Sequence, residues 1–297
     1  MKSGKELKQV KEERQKSKKV IKGTKKTNKK SNSKQKPEIK IVTSEKWEAG
    51  EAGLEISEKL AEMKNISFVM LFATSQYKDN GGFEKLLESV YSKISDEIIV
   101  VGGSVIGFTK SKLATIHGVV CLSFSYKNMD IAINYSKNTK RHPFKSGRKI
   151  GQNIESSLKN SRYKNKFAFT FTSGSQILKF PFMKPKLIIP FNLPYKFYSL
   201  FFSFISFFLQ KGFGKEEDIL EGFVNNAKDY ELFGLSMGDS QILTNYQFYN
   251  KKVLKNSIVG LGISSDLNYE MGFSSGAKQS NIRFKITKTM TRISIMD

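Results

Sequence analysis

Cysteine, histidine and acidic side chains are all scarce in this 297-residue sequence. The single cysteine, Cys121, sits in the apolar run 118–124, which excludes a disulfide framework or a cysteine metal cluster within one chain. It is expected to act as a small buried hydrophobe. The only histidines, His117 and His142, have no carboxylate beside them in sequence, so both read as core or solvated side chains and no metal site or cofactor is expected. The first residues are charged from Lys2 onward, where a secretory leader requires an apolar segment of about 7–15 residues, so export by that route is not expected. A reducing, cytoplasmic setting is the expectation.

Long apolar runs are also lacking. The longest candidate, Phe197–Leu209, would be about 20 Å long as a helix, against roughly 30 Å of bilayer hydrocarbon. Extending it back to Leu187 meets Pro190, Asn192, Pro194 and Lys196, so a membrane-crossing helix is not expected. Three readings of 187–210 stay open: a buried helix or lid, a membrane-surface element, and an oligomer contact.

Base is what the sequence has in excess. Fifty Lys+Arg against 27 Asp+Glu give +23, which predicts attraction to polyanions such as nucleic acid or an anionic membrane face. Residues 1–40 hold 16 Lys+Arg and 4 Asp+Glu, so +12 lies there and +11 is spread over the rest. Residues 1–37 are almost free of apolar side chains, a composition that cannot offset the entropy of ordering, so a disordered lysine-rich tail over 1–40 is expected.

Beyond the tail, Ala49, Ile56, Leu60 and Met63 share one helical face, predicting a helix over 46–63. A buried strand at 68–73, an amphipathic helix at 83–94 and a second buried strand at 98–104 follow, then strands at 118–126 and 129–136 that read as a hairpin. A helix at 147–159 precedes Phe167–Gly174, which repeats the apolar strand ending in Thr-Ser found at 68–75. A helix at 216–229, a strand ending at 234–239, and strands at 245–250, 256–264 and 268–273 complete the pattern. The order of elements predicts an internally duplicated α/β fold, with mixed α+β layers and mixed sheets rather than a doubly wound parallel sheet.

Three stretches together resemble a known family: Thr43-Ser-Glu-Lys-Trp-Glu-Ala-Gly-Glu-Ala52, Phe68-Val-Met-Leu-Phe-Ala-Thr-Ser75 and Val100-Val-Gly-Gly-Ser-Val-Ile-Gly107. They look like the opening of the FIST N-terminal domain. Phe233-Gly-Leu-Ser-Met-Gly-Asp239, Tyr246–Asn250 and Ser257–Leu261 are similar to that family's second glycine-serine turn and the strands after it. The resemblance spans 41–280, with a Phe-rich insertion at 180–212, and residues 281–297 are similar to the start of the family's C-terminal domain. It implies an intracellular, non-enzymatic sensory domain that binds a small ligand, amino acids among the candidates, and passes occupancy to a downstream signalling protein.

The residues themselves narrow the chemistry. Gly234-Leu-Ser-Met-Gly238 fits the G-x-S-x-G string, but a nucleophile elbow needs a helix after the serine and a histidine base, and both histidines precede Ser236. The Gly102–Gly107 turn lacks the Gly-Lys-Ser/Thr ending of a phosphate loop and the three-glycine dinucleotide spacing. If the duplication brings the two strand ends together, Gly102, Gly103, Ser104, Gly107, Ser236, Gly238 and Asp239 would line one cleft. Asp239 would supply the carboxylate, and Thr74, Ser75, Thr172 and Ser173 further donors, for an amino or hydroxyl group of a small polar ligand. Equally open are turn-forming roles for the glycines and a capping role for Asp239. The acidic run Glu216–Asp218 opens a helix, where the dipole favours it. The rival to a sensor is a nucleic-acid or anionic-membrane binder acting through the tail.

Overall fold

The computed structural model describes residues 36–110, 113–176, 200, 204–212, 214–238, 245–270, 272, 286–290 and 293–296. The chain divides into Met1–Lys36 and Pro37–Asp297, and the account below concerns the second unit. The lysine-rich residues 1–35 and most of 187–210 lie outside the described residues.

Two copies of one topology build the body. The first is β1 (Glu38–Ser44), α1 (Ala49–Ala61), β2 (Phe68–Thr74), α2 (Phe83–Val90), β3 (Ile99–Val105), a small hairpin β4 (Phe108–Lys110) and β5 (Leu113–Thr115), then β6 (Val119–Ser125). The second is β7 (Met129–Lys137), α3 (Pro143–Leu158), β8 (Asn165–Ser173), α4 (Glu216–Val224), β9 (Glu231–Met237), a hairpin β10 (Gln247–Tyr249) and β11 (Lys252–Leu254), then β12 (Ser257–Ser265). The first sheet runs β1-β6-β2-β3 and the second β7-β12-β8-β9. In each, the two α-connected strands are parallel (β2 with β3, β8 with β9) and the other pairings antiparallel.

The copies differ in their hairpins. β10 and β11 cross over to extend the first sheet beyond β3, whereas β4 and β5 pair only with each other. β13 (Ile286–Met290) and β14 (Ile293–Met296) form a separate antiparallel pair.

Burial shows how the layers stack. The inner faces of the two sheets meet through Phe68, Met70, Val101, Phe171, Val259, Leu261 and Ile263. The outer face of the first sheet packs Val69, Leu71 and Cys121 against Ile56 and Leu60 of α1 and Leu86 and Leu87 of α2. Ile150, Ile154 and Leu158 of α3, with Ile219 and Phe223 of α4, cover Ala168 and Ile258 of the second. The result is a four-layer helix–sheet–sheet–helix sandwich, the mixed α/β duplication that the element order predicts. Central β12 is buried along its whole length because both its faces are covered. α3 and α4 lie almost backbone to backbone: a Cβ on Gly147 would stand 1.8 Å from the Ile219 carbonyl oxygen, so no larger residue fits there.

Several expectations are corrected. β6 and β7 are not a hairpin; they belong to different sheets and the copies join at Tyr126–Asn128. The anticipated strand at 268–273 does not form over its described residues, 268–270 and 272. There the chain leaves β12, where Asp266 accepts the Tyr126 hydroxyl (2.6 Å) and the Asn128 amide (3.0 Å). The single strand expected at 245–250 is one arm of the β10–β11 hairpin, which reverses at Asn250 in the left-handed region (φ 51°). β1 begins at Glu38 and carries the alternating Ile39 and Ile41, within the last residues of the 1–40 segment.

Candidate functional site

The two glycine-serine strand ends do converge. Ala73 pairs with Ser104 across β2–β3, and Thr172 pairs with Ser236 across β8–β9; Ala73 also pairs with Val119, and Thr172 with Ile258. Ser104 and Ser236 therefore hold equivalent positions in the two copies. Their environments diverge because the β10–β11 hairpin covers only the first.

Ser104 is fully buried and knitted into both sheets. Its N–H donates to the Tyr246 carbonyl (2.9 Å) and its Oγ accepts the Tyr246 N–H (2.9 Å). Its hydroxyl donates to the Gly238 carbonyl (2.9 Å), while the Gly238 N–H returns a bond to the Ser104 carbonyl (3.1 Å). Gly103 explains itself by proximity: a Cβ there would lie 2.3 Å from the Tyr246 oxygen and 2.5 Å from Met237 Sδ. Gly102 touches the Leu71 backbone and Gly107 the Thr115 carbonyl in the same way. These positions are sites of close backbone approach, with Ser104 as the stitch.

Ser236, by contrast, is exposed on β9, and its hydroxyl donates to Glu216 Oε1 (2.7 Å) at the start of α4. Neither histidine is its partner. His117 stacks on Trp47 (4.4 Å) and lies 4.8 Å from the Tyr77 ring, while His142 precedes α3 and meets Phe207 edge-on (5.8 Å). Asp239 lies outside the described residues.

A second polar cluster sits immediately beside this seam, at the end of β8, and its members are mostly invisible to sequence reasoning. Lys140, in the turn between β7 and α3, is 1% exposed, and its Nζ donates to the Gly174 carbonyl (2.6 Å). Moving a lysine out of water costs several kcal/mol unless polar groups surround it, and here they do. Asn245 Nδ2 donates to the Ser175 carbonyl (3.2 Å), Gln247 Nε2 to Asn245 Oδ1 (3.1 Å), and the Ser257 N–H to Gln247 Oε1 (3.3 Å). Gln176 pairs reciprocally with Gly212 (2.7 Å each way), the Gln210 amide donates to Asn138 Oδ1 (2.7 Å), and the Thr139 N–H donates to the Asn256 carbonyl (3.1 Å).

Five buried atoms on these same segments nevertheless have no hydrogen-bond partner: Thr139 Oγ1, Ser173 Oγ, Gln176 Oε1, Gln210 Oε1 and Asn256 Oδ1. Buried polar atoms are normally satisfied, by protein or by something bound. Three of the five are amide oxygens, which accept only; the two hydroxyls accept or donate. Of this cluster, only Ser173 was legible, through the Thr172-Ser173-Gly174 echo of Thr74-Ser75. Lys140, Gln176 and Gln210 belong to polar loops without periodicity, and only the converging strand ends give them meaning.

Among the described residues no group of three or more His, Cys, Asp or Glu side chains is placed to hold a metal ion, and no helix is long and apolar enough to cross a membrane. Complete burial pushes the Cys121 thiol far up from its usual range and favours its protonated form.

The profile of the FIST N domain family matches residues 67–297, most of the chain and both topological copies from β2 onward. A comparison with curated proteins gave no match.

Proposed function

The chain belongs to the FIST N domain family, which is associated with signal transduction and small-ligand sensing, and we propose that its body is a non-enzymatic sensory domain whose small polar ligand binds at the end of β8. The observation that carries this is the set of five unsatisfied buried atoms gathered around the Lys140 turn. Amide oxygens without donors favour a ligand that brings N–H or O–H groups, such as the amino group of an amino acid. The adjoining Ser104–Gly238 seam joins the two sheets, so a ligand here would bias how they are held together and give occupancy a structural consequence for a downstream signalling protein. A non-enzymatic reading is favoured by the absence of an imidazole at Ser236 and by the buried, protonated thiol.

Thermal-shift screening of the full chain against amino acids, nucleotides and small organic acids tests the reading, because a ligand that binds only the folded state raises its stability. A rise confined to one chemical class, abolished by Ser173→Ala, supports it. No rise in any class, or a rise indifferent to Ser173→Ala, removes the ligand from this site.

A second reading rests on charge alone. The +12 carried by residues 1–40 favours polyanion binding through the tail, by release of counterions from a phosphate backbone, and it is compatible with the first.

A further inference from the structure

We infer that the aromatic turn around Phe207 is a docking element for an anionic membrane surface. Phe204 leads into a turn at Ile205–Leu209 that ends on Gln210 in the left-handed region (φ 50°). Phe204, Phe207 and Phe208 are 55%, 42% and 57% exposed, and Leu200 and Leu209 are more than half exposed. The rings cluster: Phe204 and Phe208 have centroids 4.6 Å apart, and Phe207 and Phe208 5.0 Å apart. Isolated exposed apolar side chains are ordinary on a protein surface, but a contiguous cluster of this kind marks a surface that meets an apolar partner.

The turn is braced from below. Arg141 Nε donates to the Phe207 carbonyl (2.8 Å) and a terminal guanidinium nitrogen to that of Phe208 (3.4 Å), with the guanidinium carbon 5.2 Å from the Phe207 ring centre. The Gln210 amide ties the end of the turn to Asn138. Polar anchors take the backbone while the phenyl rings remain outside, an arrangement opposite to that of a core segment.

Charge selects the partner. Arg141 lies against the Phe207 ring and backbone, and Lys211 follows the turn directly. Exposed Lys145, Arg148 and Lys149 on α3 follow Arg141 closely. Apolar side chains that enter the acyl boundary, ringed by cations that meet lipid headgroups, are the two signals that hold a peripheral protein on an anionic bilayer. Among the described residues no helix is long and apolar enough to cross a membrane, and the proposal is for an element that lies on the surface.

Flotation of the full chain with vesicles of phosphatidylcholine containing phosphatidylserine tests this directly, comparing wild type with Phe207→Ser/Phe208→Ser. The double variant keeps the tail and every charge, so the comparison isolates the rings. It should lower the partition coefficient at least about tenfold, with the difference persisting at about 0.5 M salt, where electrostatic attraction is screened. Equal binding by both proteins assigns membrane attraction to the tail and overturns the proposal, as does a wild type that stays unbound. A wild-type dimer in solution that the double variant converts to monomer means a second copy covers the rings, which also overturns it.

Should the double variant fail to fold, Phe207→Trp in a Trp47→Phe background gives an independent reading, because Trp47 is the only native tryptophan. Its emission should shift to the blue and be quenched by brominated lipid on anionic vesicles. Unchanged emission sinks the proposal.

Discussion

Ser104 and Gly238, 134 positions apart, are joined by two opposed hydrogen bonds: the Ser104 hydroxyl donates to the Gly238 carbonyl at 2.9 Å, and the Gly238 N–H donates to the Ser104 carbonyl at 3.1 Å. One lies at the end of the first copy's parallel pair and the other at the end of the second's, so this pairing fastens the two sheets at the edge where the proposed ligand site begins. Ser104→Ala should leave the Tyr246 N–H and Gly238 carbonyl short of a partner and cost about 1–3 kcal/mol. For a body of this size that lowers Tm by about 2–4 °C per kcal/mol. Differential scanning calorimetry checks it, and an unchanged Tm would show that the seam contributes nothing to stability.

Gly103 should tolerate no side chain. Gly103→Ala brings a methyl against the Tyr246 oxygen and Met237 Sδ, an overpacking that costs about 1–3 kcal/mol. Adding Met237→Ala relieves only the sulfur contact. Urea denaturation of the single and double variants should therefore show partial rescue, and full rescue would mean that the β10 backbone yields more easily than its pairing with β3 implies.

Ser173→Ala has a sign opposite to most buried substitutions. Removing a buried hydroxyl with no partner eliminates an unmet desolvation penalty, so the ligand-free protein should be as stable as wild type or slightly more stable. The ligand-induced rise in Tm should disappear. A ligand-free variant destabilised by more than about 1 kcal/mol would mean the hydroxyl already has a structural partner.

Alkali should unfold the body through its buried phenols. Burial chiefly raises Tyr230, to about 12, and pushes Tyr77 and Tyr91 up as well. An unfolded tyrosine ionises near pH 10, so each group's contribution is intact below pH 10. It is lost as pH rises from there through the folded value, because only the unfolded chain readily loses the proton. Stability measured against pH should fall between pH 10 and about 12, and Tyr230→Phe should flatten part of that fall. At the acid end the sign reverses. Glu55 is held below the usual carboxylate range by hydrogen bonds from Lys59 and then Ser44, so its modest, half-exposed contribution is present above pH 4.5 and lost on acidification through its folded value.

Deleting residues 1–35 removes 14 Lys+Arg and 3 Asp+Glu, a loss of 14 − 3 = +11, and leaves β1 whole. Affinity for RNA or DNA should drop and its dependence on salt should become shallower. Binding that survives the deletion, measured by fluorescence anisotropy over a salt series, would locate the polyanion site on the body.

The parts of this structure that sequence could reach are those governed by periodicity. Ile56 and Leu60, Leu86 and Leu87, and Ile150 and Ile154 were placed correctly on buried helical faces because burial imposes the 3.6-residue repeat on them. The duplication is visible in element order, and the equivalent strand ends of the two copies are what set Ser104 against Gly238. What remained hidden depends on pairing between distant strands. Nothing in 119–137 tells whether β6 and β7 share a sheet, because both are apolar strands joined by a short turn. The polar cluster is hidden for a related reason: Lys140 reads as one more surface lysine in a basic chain, and only the arrival of β8 and the β10 approach makes it buried. Asp239 falls outside the described residues.

The crossed hairpin has a consequence for synthesis. The Val100 N–H on β3 donates to Asn250 Oδ1, 150 positions later, so the exposed edge of the first sheet cannot be closed until nearly the whole body has left the ribosome. At about 5–20 residues per second that is a wait of roughly 7–30 s. During that interval the nascent chain presents Val100 and Val101 on a bare strand edge, the kind of surface that holdase chaperones protect.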